Sequence, residues 1–474
     1  MPNGGFLSPA GCRIRTAVAA IATAACTLTS CGPGTGAAGP VPSPARSADP
    51  CVVALDSTVL PKDTLIVALT EPIRLPDGTA AHNRSERLVL RQLYETLVRV
   101  DCTGQIRPAL AQRWVADGTG LEWTFELRPG LRFADGTPID ARAVGASWAG
   151  NGAPERPWAA IAQVEAIDSL RLRLRLTVPL PESAAGFADP LLAVAGAPGG
   201  SAWPNESGGY RLASADTGSN GLAAITLVPA RSEPGGPVLR FVAVPGVDPR
   251  DLLDRQLPGA DVVITRDPST LAYARSRNDL HAVPLPWDRT YVLIAPSSVP
   301  PVPPPDPADR DALARDAVPG DARGAEAPFW WEEDPLCPAR GPVLSNPAGV
   351  IAFPSGDPVA RALAERVLAL ATSVSPPRWL RHGLPGSGLK PMLRVMAYDP
   401  PAFDSVLATG GASLYVAPFP RTATAGCRGV PRHALGFGTV PLVDTRAYLI
   451  LRRGVPPFAV DGDGMVRFLP PSVP

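Results

Sequence analysis

Lysine is almost missing from this chain: Lys62 and Lys390 are the only two, and arginine supplies the rest of the 44 basic residues. Those 44 meet 44 acidic residues, so the formal net charge is zero. Without a basic excess or stripe the chain lacks the electrostatic footprint of a nucleic-acid binder. The lysine deficit itself reads as coding bias from a GC-rich genome. Histidine is scarce too. His82, His281, His382 and His433 are scattered and no Cys-x-x-Cys occurs, which argues against a zinc site or any other metal or cofactor site. There is no Gly-x-Ser-x-Gly elbow and no His-Glu-x-x-His, so a hydrolase would lack its nucleophile and base, and the chain does not read as an enzyme. Long apolar runs are also wanting: no segment reaches the roughly 20 residues a spanning helix needs.

What is present is a chain of 474 residues, 45% hydrophobic and 19% charged. That length can bury a large core or build two or three domains. Glycine (45) and proline (59) are enriched, yet below the level of wholesale disorder. Near the N-terminus, Arg13 and Arg15 precede a small-apolar run from Thr16 to Thr27 and then Leu28-Thr-Ser-Cys31. A positive flank, a short apolar stretch and small residues before a cut site make a secretory signal over 1–31. Leu28-Thr-Ser-Cys31 is similar to the bacterial lipobox, which predicts lipidation of Cys31 and attachment to the outer face of the cell membrane. Asn3 to Ala10 are unlike a signal flank, which points to a start downstream of Met1. Residues 32–50, rich in Gly, Pro and Ser without periodicity, read as a flexible tether.

Of seven cysteines, Cys12 and Cys26 leave with the signal and Cys31 carries lipid. Cys51, Cys102, Cys337 and Cys427 remain, an even number suited to disulfides in an oxidising compartment. Three connectivities are open, and the pairing of neighbours, Cys51–Cys102 and Cys337–Cys427, is favoured.

Along the mature chain, Thr64–Leu69 is a strand-length apolar run, and Asn83 to Val98 reads as a helix with Leu90, Leu93, Tyr94 and Leu97 on one face. Glu122–Arg128 and Arg171–Thr177 alternate strictly, as half-buried strands do. The arginine row of the second reads as a solvated, edge-protecting face rather than a phosphate patch. Val262–Thr265 and Arg289–Ala295 are further strands, and Ser269–Arg277 is a short helix. Asp357-Pro358 opens another helix with a core stripe at Ala360, Leu363, Ala364, Val367 and Leu368. Asp461-Gly-Asp-Gly464 lacks the other ligands of a calcium loop and reads as a turn. Strands and helices mixed without strict βα repetition predict an α/β, mixed α+β, architecture.

One ordered block is more specific. It runs Leu93-Tyr-Glu-Thr-Leu-Val-Arg-Val-Asp101, Gly104-Gln-Ile-Arg-Pro-Ala-Leu-Ala111, Trp114 and Asp117-Gly118. Trp123-Thr-Phe-Glu-Leu-Arg128, Gly130, Phe133, Asp135-Gly-Thr-Pro138 and Ala141 to Trp148 follow in register. The block resembles the bacterial extracellular solute-binding proteins of family 5, the peptide and nickel ABC importer binding lipoproteins. Fainter likenesses continue at Gly208-Gly-Tyr-Arg-Leu212, Asp261–Ile264, Arg289–Leu293 and Leu442–Arg453, with a divergent, shortened stretch after Pro296. The resemblance implies a two-lobed periplasmic-binding-protein-like fold with an inter-lobe cleft that shuts on its ligand. Lobe 1 would span 51–295, continued by 425–474, and lobe 2 would span 296–424. The implied partners are a small-molecule or peptide ligand, ABC permease subunits, and the membrane through the lipid anchor. A transport-inactive ligand-binding or sensor lipoprotein is the alternative, and neighbouring permease and ATPase genes would separate the two.

The family's Gly-Trp-x-x-Asp segment, whose acid binds a peptide's free amine, should fall near Gly411–Pro420. Neither the tryptophan nor the aspartate is there. Asp399, just upstream, is a substitute candidate, since a buried ammonium needs a paired charge. Glu71 sits in the loop after the first strand, facing either ligand or solvent. Trp287 and Tyr291 flank the entry to the second lobe, as cleft walls or as core aromatics. Trp330 and Trp331, followed by Glu332-Glu333-Asp334, suit a cationic ligand through cation–π contact or serve as loop anchors. Tyr415 stands in the altered segment and completes the ligand candidates.

Overall fold

A computed structural model describes residues 49–469 apart from 56–61, 75–80, 82, 150–160, 178, 180–183, 198–202, 219–220, 231–235, 255–258, 296–304, 318–321, 325–348, 382–392 and 421–437. The signal with Cys31, nearly all of the tether, Trp330, Trp331, Cys337 and Cys427 lie outside the described residues.

Strand β1 (Val52–Val53) directly follows Cys51, which is disulfide-bonded to Cys102 across 51 residues of chain. After β2 (Thr64–Leu69), helix α1 (Arg84–Leu93) starts at Asn83, whose side chain accepts the Glu86 N–H at 2.8 Å. The helix ends sooner than the 83–98 pattern predicts. Tyr94 turns extended, at φ −129° and ψ 138°, and the apolar spacing beyond it belongs to β3 (Val98–Val100), paired with β4 (Ile106–Pro108).

A separate four-stranded sheet follows, built from β5 (Ala111–Ala116), β6 (Glu122–Leu127), β7 (Ile161–Ala166) and β8 (Arg171–Leu176) in the order β5-β6-β8-β7. Trp123, Phe125, Leu127, Leu172 and Leu174 meet helix α2 (Ala141–Ala149) in one core. On the other face, Arg173 and Arg175 pair with Glu122 at 3.1 and 3.2 Å, which neutralises the arginine row.

The chain then runs through β9 (Tyr210–Gly218), β10 (Gly221–Pro229), β11 (Val238–Ala243), α3 (Pro249–Leu253), β12 (Val262–Thr265) and α4 (Pro268–Arg275). The long β13 (Leu280–Ala295) leads to α5 (Pro307–Ala317), β14 (Ala322–Arg323), β15 (Val350–Pro354), α6 (Pro358–Ala371) and α7 (Arg378–Arg381). It continues with β16 (Arg394–Tyr398), α8 (Pro400–Thr409), β17 (Leu414–Pro420), the long β18 (Gly438–Arg452), β19 (Phe458–Val460) and β20 (Val466–Phe468). Proline opens helices here rather than breaking them. Helices α3, α4, α6 and α8 each begin with proline after Asp248, Asp267, Asp357 or Asp399. The missing proline N–H would have been unpaired in the first turn anyway, and aspartate is a favoured cap.

The largest sheet runs in the order β16-β15-β17-β13-β18-β12-β2-β11-β10-β9, with β14 also on β18, while β1, β19 and β20 form a separate three-stranded sheet. Its two ends have different cores. At one end Leu65, Val67, Phe241 and Leu449 pack under α1, while Val263, Leu271, Tyr448 and Ile450 pack under α3 and α4. At the other, Leu293, Leu363, Leu414 and Val443 face α5 to α7, while Ile294, Phe403, Tyr415 and Phe419 face α8. The change of core falls inside β13 and β18. Within these strands Tyr291 to Ala295, together with Val440, Leu442 and Val443, pack with the far end.

The Gly208-Gly209-Tyr210 turn ties β9 to α1. Gly208 N–H donates to Leu93 O at 2.8 Å, and a Cβ at Gly208 would lie 2.6 Å from Gln92 O and 2.8 Å from Leu93 O. A Cβ at Gly209 would meet nothing within 4 Å. Gly208→Ala is expected to cost about 1–3 kcal/mol in denaturant unfolding, as overpacking does. Gly209→Ala should stay within about 0.5 kcal/mol. Equal effects at the two positions would contradict the close approach.

Candidate functional site

Strands β13 and β18, of 16 and 15 residues, run antiparallel across the change of core. Their near halves pair regularly, from Leu280 against Arg452 to Pro284 against Tyr448. The ladder then shifts register between Pro284 and Trp287 and again between Trp287 and Arg289. Pro284 and Pro286 bracket the first shift. Neither has an N–H to give, so the ladder must bulge there.

Each strand carries a polar triplet at this point, inside otherwise apolar sequence. Asp288-Arg289-Thr290 lies against Asp444-Thr445-Arg446: Arg289 pairs with Thr445, Thr290 with Asp444, and Trp287 with Arg446. Buried charge needs compensation, and it comes from both ends of the sheet. Asp288, almost fully buried, takes Arg84 at the start of α1 and Arg266 just beyond β12 through one carboxylate oxygen. Arg84 also donates to Gly464 O at 3.2 Å, which ties in the turn between β19 and β20. From the far end, Asp444 accepts from Thr290 at 2.7 Å and from Arg323 of β14 at 3.2 Å. Tyr291 donates its hydroxyl to Asp357, the cap of α6, at 2.8 Å, and Arg289 lies 3.5 Å from the same carboxylate. An open pocket of about 390 Å³, lined by Asp311, Ala314, Arg315, Ala322, Arg323 and Gly324, adjoins Arg323.

The titration of these groups follows from their surroundings. Burial alone would raise the Asp288 carboxyl, but the charges of Arg84 and Arg266 and their hydrogen bonds outweigh it and hold it at about 2. Burial lowers Arg266 against the pull of Asp288, and the like charges of Arg289 and Arg84 lower it further. Burial, together with the Asp357 charge and against that of Arg289, raises Tyr291, which stays a neutral donor.

Among the described residues expected to touch ligand, only Trp287 stands in this arrangement partly exposed. Its ring lies under two guanidinium groups, Arg446 at 4.5 Å and Arg323 at 4.7 Å. Tyr291 is core, with its hydroxyl committed to Asp357. Tyr415 is core as well. It faces α8, accepting from Ala412 N–H at 2.8 Å and donating to Val406 O at 3.0 Å, so a ligand-facing role for it gives way to packing. Asp399 stands at the start of α8 and accepts from Ser355 Oγ at 2.7 Å. Glu71 accepts the Ser85 N–H at 2.9 Å in the first turn of α1, while the Ser85 hydroxyl accepts the Glu71 N–H at 3.2 Å. Glu71 thus serves the start of α1, while the Asp399 side chain is engaged by Ser355 rather than by the first turn of α8. Sequence reasoning missed Arg84, Arg266, Asp288, Arg323, Asp444 and Arg446, and the signal was there: three polar residues in a row within an apolar strand, twice. Among the described residues, no three His, Cys, Asp or Glu side chains converge as a metal site.

Asp288→Asn removes the charge that compensates two guanidinium groups, and breaking such a buried pair costs about 3 kcal/mol. In the folded protein the carboxyl sits at about 2 rather than 3.8, so the unfolded chain takes up its proton first as pH falls. The stabilising contribution is full above about pH 5 and is lost toward about pH 2. Denaturant unfolding at a series of pH values should give a shallower acid loss for the variant. An unchanged acid slope would remove Asp288 from the account.

Known proteins match at two levels. The profile described as bacterial extracellular solute-binding proteins, family 5 Middle, matches residues 105–224. A probable deoxycholate-binding periplasmic protein of Escherichia coli K12 is 37% identical over 79 residues, 16% of this chain and 14% of the relative. The periplasmic murein peptide-binding protein of the same strain is 38% identical over 78 residues, again 16% and 14%. These alignments span about one seventh of the curated relatives. A solved dipeptide-binding protein from Pseudoalteromonas sp. SM9913, in complex with Met-Leu, aligns over 85% of this chain and 98% of its own, with a TM-score of 0.59 and 14% identity. That likeness speaks for the fold, two lobes of the periplasmic binding type. In sequence over residues 105–224 this chain is similar to the family 5 bacterial extracellular solute-binding proteins, and over most of its length it shares the fold of a solved binding protein.

Proposed function

We propose that this protein captures a peptide or another small organic solute outside the cell membrane and delivers it to an ABC permease. Cys31 holds it to the membrane by lipid, and the two lobes close on the solute by bending at the crossover strands. It is a binding protein and performs no chemistry on its cargo. The observation that carries this reading is the proline-interrupted ladder between β13 and β18, shifted in register three times where the sheet passes from one core to the other. A bulged ladder with few backbone bonds is where two packed halves bend most easily. The charge pairs on either side of the bulge anchor Asp288 to one half and Arg289 to the other.

Ligand that binds only the folded form raises its apparent stability. A thermal-shift screen of the purified protein against peptides, amino acids, sugars and metal chelates should yield at least one class that raises Tm. The same compound should reduce the radius of gyration in small-angle X-ray scattering. Binding without compaction would remove lobe closure from the proposal, and a panel with no binder at all would remove solute capture. The anchor is tested separately: cells fed an alkyne-tagged fatty acid should label the wild-type protein and leave Cys31→Ser unlabelled and released. Equal labelling of both would end the lipid-anchor reading.

A further inference from the structure

Among the described residues the crossover carries more positive than negative charge. Five arginines, Arg84, Arg266, Arg289, Arg323 and Arg446, meet there with three aspartates, Asp288, Asp357 and Asp444, a difference of two. Each aspartate is already engaged. Asp288 holds two guanidinium groups, Asp357 holds Arg289, Tyr291 and the first turn of α6, and Asp444 holds Arg323 and Thr290. Arg446 is left over. Among the described residues no carboxylate lies within ion-pair reach of it, and its Nε is shielded from water without an acceptor.

What Arg446 does have is aromatic support. Its guanidinium carbon lies 4.5 Å from the Trp287 ring centre and 5.4 Å from that of Tyr448. Arg323 reaches the same Trp287 ring from β14 at 4.7 Å, and Arg275 of α4 reaches Tyr448 at 5.4 Å. Cations and rings thus alternate from one half of the molecule to the other: Arg323, Trp287, Arg446, Tyr448, Arg275. An arginine resting on a ring uses the face of its guanidinium and leaves the N–H donors free along the edge, the fork that fits a carboxylate or phosphate. A half-buried cation held in one orientation with unsatisfied donors is a pre-organised anion receptor.

We propose that the solute is an organic anion whose oxyanion, a carboxylate or a phosphate, docks on the Arg446 guanidinium beside Trp287. The assignment rests on the solute-binding reading above and names the charge class of its cargo. It also reverses the sign suggested by an acidic, amine-binding cleft.

The test uses matched probes on the full purified protein. Titration calorimetry compares leucyl-leucine with its C-terminal amide, and citrate with inorganic phosphate, on wild type and Arg446→Gln. Loss of a charge-assisted contact corresponds to about 10- to 100-fold in affinity. The acid should bind that much more tightly than the amide, or citrate or phosphate should bind, and Arg446→Gln should lose the advantage. Phosphate outcompeting the carboxylates would assign the oxyanion to a phosphate ester. Amide binding as tight as acid binding, or an Arg446→Gln variant that retains the preference, overturns the anion assignment and leaves solute binding standing. A ligand-free measurement covers a panel in which nothing binds. The Trp287 emission, isolated by difference from Trp287→Phe, should be quenched more strongly by iodide than by caesium, and Arg446→Gln should narrow the gap. Equal quenching by the two ions overturns the proposal even then.

Discussion

Two antiparallel strands long enough to belong to both ends of one sheet set the terms for everything else in this molecule. Strands β13 and β18 pass from a core under α1, α3 and α4 to a core under α5 to α8. With β18 buried along most of its length and β13 over its far half, polar residues in the middle come at a cost. They occur there nonetheless, because the ladder is broken by Pro284 and Pro286 and the sheet bulges open. The charged groups admitted at that opening must find partners, and the partners come from elements on either side. The bulge, the charge pairs and the change of core are one feature.

The physical cost of that feature explains its composition. Asp288 loses hydration on burial, and a single arginine would not repay it with one oxygen. Two arginines share that oxygen, which over-compensates the carboxylate and leaves positive charge behind. Asp444 takes Arg323 and the Thr290 hydroxyl among its partners, and Asp357 takes Arg289, the Tyr291 hydroxyl and the first turn of α6. The resulting imbalance is local, since the whole chain carries 44 charges of each sign. Net charge therefore says nothing about the field at the crossover.

Much of the fold was legible in the sequence because its causes are local. The alternation of Trp123, Phe125 and Leu127 put those side chains in one core, and Asp357-Pro358 started α6 where such a step should. Asn83 marked the start of α1, but its end was misjudged, since Leu97 continues the helical spacing while Tyr94 has already turned extended. The crossover was not legible in the same way. Asp288 and Arg84 are 204 residues apart, and Asp444 and Arg323 are 121 apart, so no window contains both partners. Tyr415 failed for a different reason. In β17, Leu414 and Val416 face one core and Tyr415 faces the other, so neither side of the strand is open and alternation carries no sign of which face meets ligand.

Two of the acids that the sequence offered for a cationic guest, Glu71 and Asp399, are engaged within the fold, while Glu332, Glu333 and Asp334 lie outside the described residues. Glu71 and Asp399 sit at the first turns of α1 and α8, and the segment from Gly411 to Pro420 supplies no carboxylate at all. The unpaired charge that remains among the described residues of the crossover is the cation of Arg446. Among the described residues of the crossover each aspartate already faces an arginine, and a stacked, donor-rich guanidinium remains, which is the arrangement that would favour an oxyanion over an ammonium. An ammonium entering it would meet like charge across a low-dielectric gap, and an oxyanion would meet the partner that the protein itself withholds. The departure from the amine-binding segment and the surplus arginine are thus complementary, and each makes the other intelligible.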